Sequence, residues 1–158
     1  MEDLETRVLE DLVNPGDIAM LTTLDATQRL LSRPLTVARV RGGALEFLID
    51  VTADWAADAD SGRQVNAAIA AGGRNDWVSI SGRATISQDR SRIDDLWSAA
   101  AAAYFDSRDA PEVGVLQVVT DTGEFWSSPS GGPIGRLLSI IGAATGQGDA
   151  AGGHGAIV

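Results

Sequence analysis

The sequence predicts an α+β domain built on a small antiparallel β-barrel of about six to seven strands with flanking helices. Three observations predict it. Short segments of strand composition follow one another across turn residues, an amphipathic helical segment precedes them, and a second one interrupts them. The chain has 158 residues, 44% of them hydrophobic, which is enough for one domain with a buried core.

The first helix rests on Leu4, Val8, Leu12 and Val13, which share one face at helical spacing; Asn14-Pro15-Gly16 then stops it, because a proline cannot continue the hydrogen-bond ladder. Strands are predicted over 18–25, 31–40 and 44–50, separated by Asp25-Ala26-Thr27-Gln28 and Arg41-Gly42-Gly43 and read as antiparallel hairpins. A short helix is expected within 52–61, a strand over 65–70 and a turn at 72–76. The segment 77–87 alternates most cleanly: Val78, Ile80, Gly82, Ala84 and Ile86 face one way, and Gly82 marks a bulge or barrel corner. A second helix starts near Ser91, with Asp94 in a capping-box position and Ile93, Leu96, Trp97, Ala100 and Tyr104 as its buried stripe. A closing hairpin is predicted from 113–119 and 123–127 around Thr120-Asp121-Thr122. The division expected is a domain over 1–130, then a short amphipathic segment and a glycine-rich flexible tail over 131–158.

Composition removes several function classes. A net charge of -10 opposes general attraction to nucleic acid or to an anionic membrane, so neither is expected as a partner. All twelve basic residues are arginine, which excludes a lysine Schiff base. Cysteine is absent, and with it disulfides, thiolate nucleophiles and cysteine-held metals. The only histidine, His154, lies in the tail, so a positioned histidine base or a metal cluster is not expected. The N-terminus lacks the basic and apolar regions of a secretory signal, which predicts a cytoplasmic protein. The carboxylate pairs Asp58 with Asp60 and Asp94 with Asp95 read as solvated acidic faces.

What remains is Arg33-Pro34 within an otherwise ordinary strand, and four tryptophans among eight aromatic residues. A strand proline marks an edge, a bulge or a place where a ligand meets the backbone, and the adjacent arginine offers a fork for an anion. The plain alternative is an edge strand whose arginine points to solvent. A tryptophan is more often core packing than ligand contact.

The series MLTTLDATQRLLSRPLTV, ALEFLID, DWVSISGRATISQDRSRIDDLW and GEFWSSPSG, in this order and at these separations, resembles the general stress protein branch of the pyridoxamine 5'-phosphate oxidase-like superfamily. The resemblance runs from about Ile18 to Gly131. It implies an FMN-binding split β-barrel and a homodimer whose flavin lies in a groove between subunits. Carried over, the positions are Ser32, Arg33, Pro34 and Leu35: Arg33 is directed to the phosphate, the backbone around Pro34 and Leu35 lines the ring, and Trp126 packs near the flavin from the dimer interface. Thr52 and Trp55 fall in the phosphate segment. Family members place a threonine, a serine and a lysine where this chain has Ile49, Ala53 and Trp55, which removes two hydroxyls and a cation from that site. A true pyridoxamine 5'-phosphate oxidase ends in an arginine-containing substrate segment, whereas here SSPSGG follows Trp126, so that activity is not expected. Three readings follow from the resemblance: a flavin-dependent oxidoreductase acting on a small molecule, a non-catalytic binder of flavin or another heteroaromatic, and a dimeric scaffold that has lost FMN.

Overall fold

The computed structural model describes residues 9–71, 76–127 and 153–157. Residues 9–12 are helical and Leu9 and Val13 are buried, while the rest of the expected first helix and the turn at 72–75 lie outside the described residues. Gly16 ends this entry segment at φ +97°, a conformation that glycine adopts without a Cβ clash.

Strands β1 (Ile18–Leu24) and β2 (Leu30–Thr36) form the first hairpin. Its loop closes on Asp25, whose carboxylate accepts from the backbone N–H groups of Thr27 and Arg29, the Thr27 hydroxyl and Arg29 Nε. These bonds, that from the Arg29 N–H foremost, hold the Asp25 carboxyl well below the usual carboxylate range.

The single strand expected over 31–40 is two strands. β2 stops at Thr36, and β3 (Arg39–Arg41) begins after a corner at Val37 and Ala38. The reason is a change of partner. Val37 N–H still donates to the Asp17 carbonyl at 2.9 Å, but Ala38 N–H donates to the Glu46 carbonyl at 2.8 Å, so the chain leaves β1 and joins β4 (Ala44–Asp50). After β4 come the one-turn helix α1 (Ala56–Ala59), β5 (Gln64–Ala71) and β6 (Asp76–Ser87).

The second helix is also divided. Asp89, not Ser91, is its cap, accepting from Ser91 N–H; α2 then runs Arg90–Leu96 and stops at Trp97. Ser98 caps a separate helix, α3 (Ala99–Tyr104), by accepting from Ala101 N–H. The predicted stripe fails beyond the break: Tyr104 is 82% exposed, and Ala101 is the buried residue of α3. Ile93 and Leu96 pack with Val113 and Val115 in a small second core, which Trp97 and Phe105 border with ring centroids 6.2 Å apart.

The predicted closing hairpin is one strand, β7 (Val113–Ser127). Thr120-Asp121-Thr122 does not turn, because β6 supplies partners on both sides of it: Gly82 faces Thr120 and Ser81 faces Thr122, which leaves Asp121 as the extra residue of a bulge. The bulge at Gly82 is where the sequence put it.

All pairings are antiparallel, in the order β2-β1-β5-β6-β7-β4-β3, and β8 (Gly153–Ile157) adds to β7 from within the stretch read as a tail. The α+β antiparallel half-barrel expected from the sequence is therefore present. Its core is the inner side of this sheet, where Phe47, Leu21, Leu45, Ile69, Ile80 and Leu116 are fully buried, each burial stabilising by roughly 1.5–3 kcal/mol. Glu46, between Leu45 and Phe47, is buried on the opposite side of β4. It accepts from Arg39 on β3 and, at 2.9 Å, from Arg92 on α2, so one carboxylate ties the sheet corner to the helix. Among the described residues no helix is long and apolar enough to cross a membrane.

Candidate functional site

β2 is the terminal strand of the sheet order, so its far side has no strand partner among the described residues. That position explains why Pro34 is tolerated, since an edge strand has no second ladder to interrupt. Register then decides what each neighbour of Pro34 does. Residues opposite one another in an antiparallel pair project to the same face. Arg33 faces buried Leu21 and Leu35 faces buried Ala19, whereas Ser32 faces Thr22 and Pro34 faces Met20 on the outer side.

Arg33 therefore turns inward. Its Nη1 donates to Oγ1 of buried Thr23 at 2.8 Å and more weakly to the Leu21 carbonyl at 3.4 Å, and its guanidinium lies 4.8 Å from the centroid of the Trp55 ring. This is a cation–π contact on a half-buried cation. Burial pulls the Arg33 pKa below its ordinary value, and the nearby charge of Asp58 works the other way.

Beside this pair lies a groove of about 780 Å³, within the size range of small-molecule sites. One wall is β2 and the corner after it, with Pro34 and Leu35. The floor comes from the end of β4, with Leu48, Ile49 and Asp50, and continues through Ala53 and Trp55. The opposite wall is α3, with Ala101, Tyr104 and the adjoining Phe105.

Of the residues singled out by sequence, Pro34, Leu35, Ile49, Ala53 and Trp55 line this groove together. Arg33 borders it through Trp55. Ser32 does not, since its hydroxyl pairs at 2.6 Å with that of Thr22 on the outer face. Thr52 is held in a turn, donating both its N–H and its hydroxyl to Asp50. Trp126 lies on β7 opposite Trp77, roughly 12 residues along that strand from Gly114, the partner of Ile49, at about 3.3 Å per residue. A single chain does not bring it to the groove. Sequence reasoning missed the α3 wall and the carboxylates of Asp50 and Glu112. Ser98 followed by AAAAAY was the available signal, since a serine before an alanine run caps a new helix.

The outer face carries exposed apolar side chains beside the Thr22–Ser32 pair. Ile18 and Met20 alternate with buried Ala19 and Leu21, and Trp77, 56% exposed, precedes buried Val78.

Residues 5–150 match the family described as pyridoxamine 5'-phosphate oxidase like. The chain belongs to this family. Solved structures share the fold. A protein from Jannaschia sp. CCS1 described as general stress protein 26 is 23% identical, with a TM-score of 0.70, covering 100% of this chain and 99% of that one. General stress protein 26 from Bacillus anthracis str. Sterne is 15% identical at a TM-score of 0.66, covering 76% of this chain and 92% of its own. The general stress FMN/FAD binding protein from Xanthomonas citri is 25% identical at 0.66, covering 82% and 92%. No curated protein matches the chain in sequence. As a pyridoxamine 5'-phosphate oxidase like protein it carries its groove on edge strand β2, with Trp55 stacked on the arginine of the SRP segment.

Proposed function

We propose that this chain is a dimeric flavin-type protein: it holds a flat heteroaromatic ring, FMN or another flavin, in the groove against β2, and any turnover is a redox reaction of that ring with a small molecule. One observation carries the reading. An unpartnered strand edge, with Pro34 and Leu35 along it, forms the wall of a groove whose floor presents an aromatic ring, Trp55. A planar ligand takes there the contacts that a neighbouring strand takes elsewhere. The Xanthomonas citri relative, described as FMN/FAD binding, supports the same ligand class.

The residues fit a ring and not a phosphate. Pro34, Leu35, Ile49 and Trp55 give it an apolar surround, while Ser32 and Thr52 spend their hydroxyls on Thr22 and Asp50. A bound flavin supplies reversible electron acceptance; the chain supplies binding, orientation and exclusion of water. Lumiflavin, the ring without its phosphate-bearing side chain, is expected to bind the ligand-free protein with a Kd of micromolar order, read by quenching of flavin fluorescence. No quenching at any accessible concentration sinks the flavin reading. Bleaching of the bound flavin by NADPH under anaerobic conditions separates an oxidoreductase from a carrier.

Support for the dimer comes from the outer face, where Ile18, Met20 and Trp77 are exposed. Light scattering at micromolar concentration should give twice the 16.4 kDa chain mass, with Met20→Glu shifting the protein towards monomer. A wild-type monomer overturns this part of the reading. In such a dimer Trp126 of a second copy is the candidate to reach the groove.

A further inference from the structure

The charged residues that line the groove itself are both acidic. Asp50 and Glu112 are its charged lining residues, and no arginine stands among them. The sheet end brings the two carboxylates to one region: Asp50 pairs with Val113, and Val51 N–H donates to the Glu112 carbonyl at 2.8 Å. Arg33, the cation bordering the groove, spends Nη1 within the fold. It donates to Thr23, stacks on Trp55 and has Asp58 near enough to offset part of its charge. A phosphate dianion placed beside Asp50 and Glu112 would meet two carboxylates. Ile49, Ala53 and Trp55, which line the groove beside them, offer an apolar surface with no cationic donor. The Trp55 indole can meet a flat or cationic ring face to face.

We propose that the groove selects a planar heteroaromatic without a phosphate, neutral or cationic in net charge, so that among flavins it takes the dephosphorylated form. Trp55 is the specificity-determining residue, and Asp50 with Glu112 supplies the bias against anions. The flavin part of this inference rests on the reading of the groove as a flavin-type site; the charge part does not.

The test is parallel titration of ligand-free protein with riboflavin and FMN, which differ only in the phosphate. Riboflavin is expected to bind at least as tightly as FMN. Trp55→Lys should move the ratio towards FMN by about tenfold or more. Because Trp55 also packs against the core, Asp50→Asn combined with Glu112→Gln provides a second route. That pair should move the ratio of FMN to riboflavin affinity several-fold towards FMN, while Asp76→Asn with Asp121→Asn, which removes the same charge elsewhere, should leave the ratio where it is. FMN binding about tenfold tighter than riboflavin in the wild-type protein overturns the inference and leaves the flavin reading standing. If neither flavin binds, 9-aminoacridine and acridine-9-carboxylate decide: preference for the cationic acridine removes the flavin reading and keeps the charge selection, while preference for the anion, or no binding of either, overturns both.

Discussion

Gly82→Ala is expected to destabilise the protein by about 3 kcal/mol, at the upper end of what overpacking costs. A Cβ at this position would land on the Val119 carbonyl oxygen, with the Thr120 Cα only 3.3 Å away. These are backbone atoms, so no side chain can rotate aside. Either β6 or β7 must move, and they meet here across the bulge that leaves Asp121 unpaired. The loss is a large fraction of the 5–15 kcal/mol that typically separates folded from unfolded states. It is checked by the urea midpoint of Gly82→Ala beside Ser81→Ala, which removes one hydrogen bond from Asn66 and should cost about 1 kcal/mol. Equal midpoints for the two variants would mean that the two strands do not approach as described.

Glu46→Gln should be the second large effect, about 2 kcal/mol at neutral pH. Removing one partner of a fully buried ion pair costs about 3–5 kcal/mol. The lower figure applies because the Arg39 and Arg92 side chains keep 30% of their exposure and can rehydrate, whereas that of Glu46 keeps 5%. Burial alone would raise the Glu46 pKa, but the hydrogen bonds and charges of Arg39 and Arg92 outweigh it and hold the group below its ordinary value. A depressed folded pKa fixes the sign. The stabilisation is complete above the unfolded glutamate pKa of about 4.3 and is lost as the pH falls through the lower folded value. Urea unfolding of wild type and Glu46→Gln should therefore show a gap at about pH 7 that narrows towards about pH 3. A gap that widened on acidification would contradict the ion triad.

What the sequence disclosed followed from local pattern. The alternation of β6 and its bulge glycine were legible because one face of that strand is buried and the other is not. Pro34 announced an edge, and β2 is one. The corner at Val37 was not legible, since the residues on either side of it are equally strand-like and only the exchange of Asp17 for Glu46 as hydrogen-bond partner bends the chain. The same holds for Thr120-Asp121-Thr122, a turn by composition that β6 keeps extended. Within the site, Arg33, Leu35 and Trp55 were found as residues, but their arrangement was not: inward projection follows from register with β1, and the carboxylates meet the groove only through pairing of β4 with β7.

That last pairing has a consequence for how the molecule is made. β4 is a nearly continuous apolar strand, and apart from the three residues of β3 its ladder partner is β7, whose first residue, Val113, lies more than sixty positions after Asp50. At a translation rate of roughly 5–20 residues per second, β4 waits on the order of ten seconds or less for that partner to be synthesised. During this interval Leu45, Phe47 and Ile49 belong to an open strand edge outside the ribosome, while β1, β2, β5 and β6 can already pair. The segment that later forms the groove floor is thus the nascent chain's point of greatest need for a chaperone, and substitutions that slow the arrival or docking of β7 should lower the yield of soluble protein before they alter any property of the folded state.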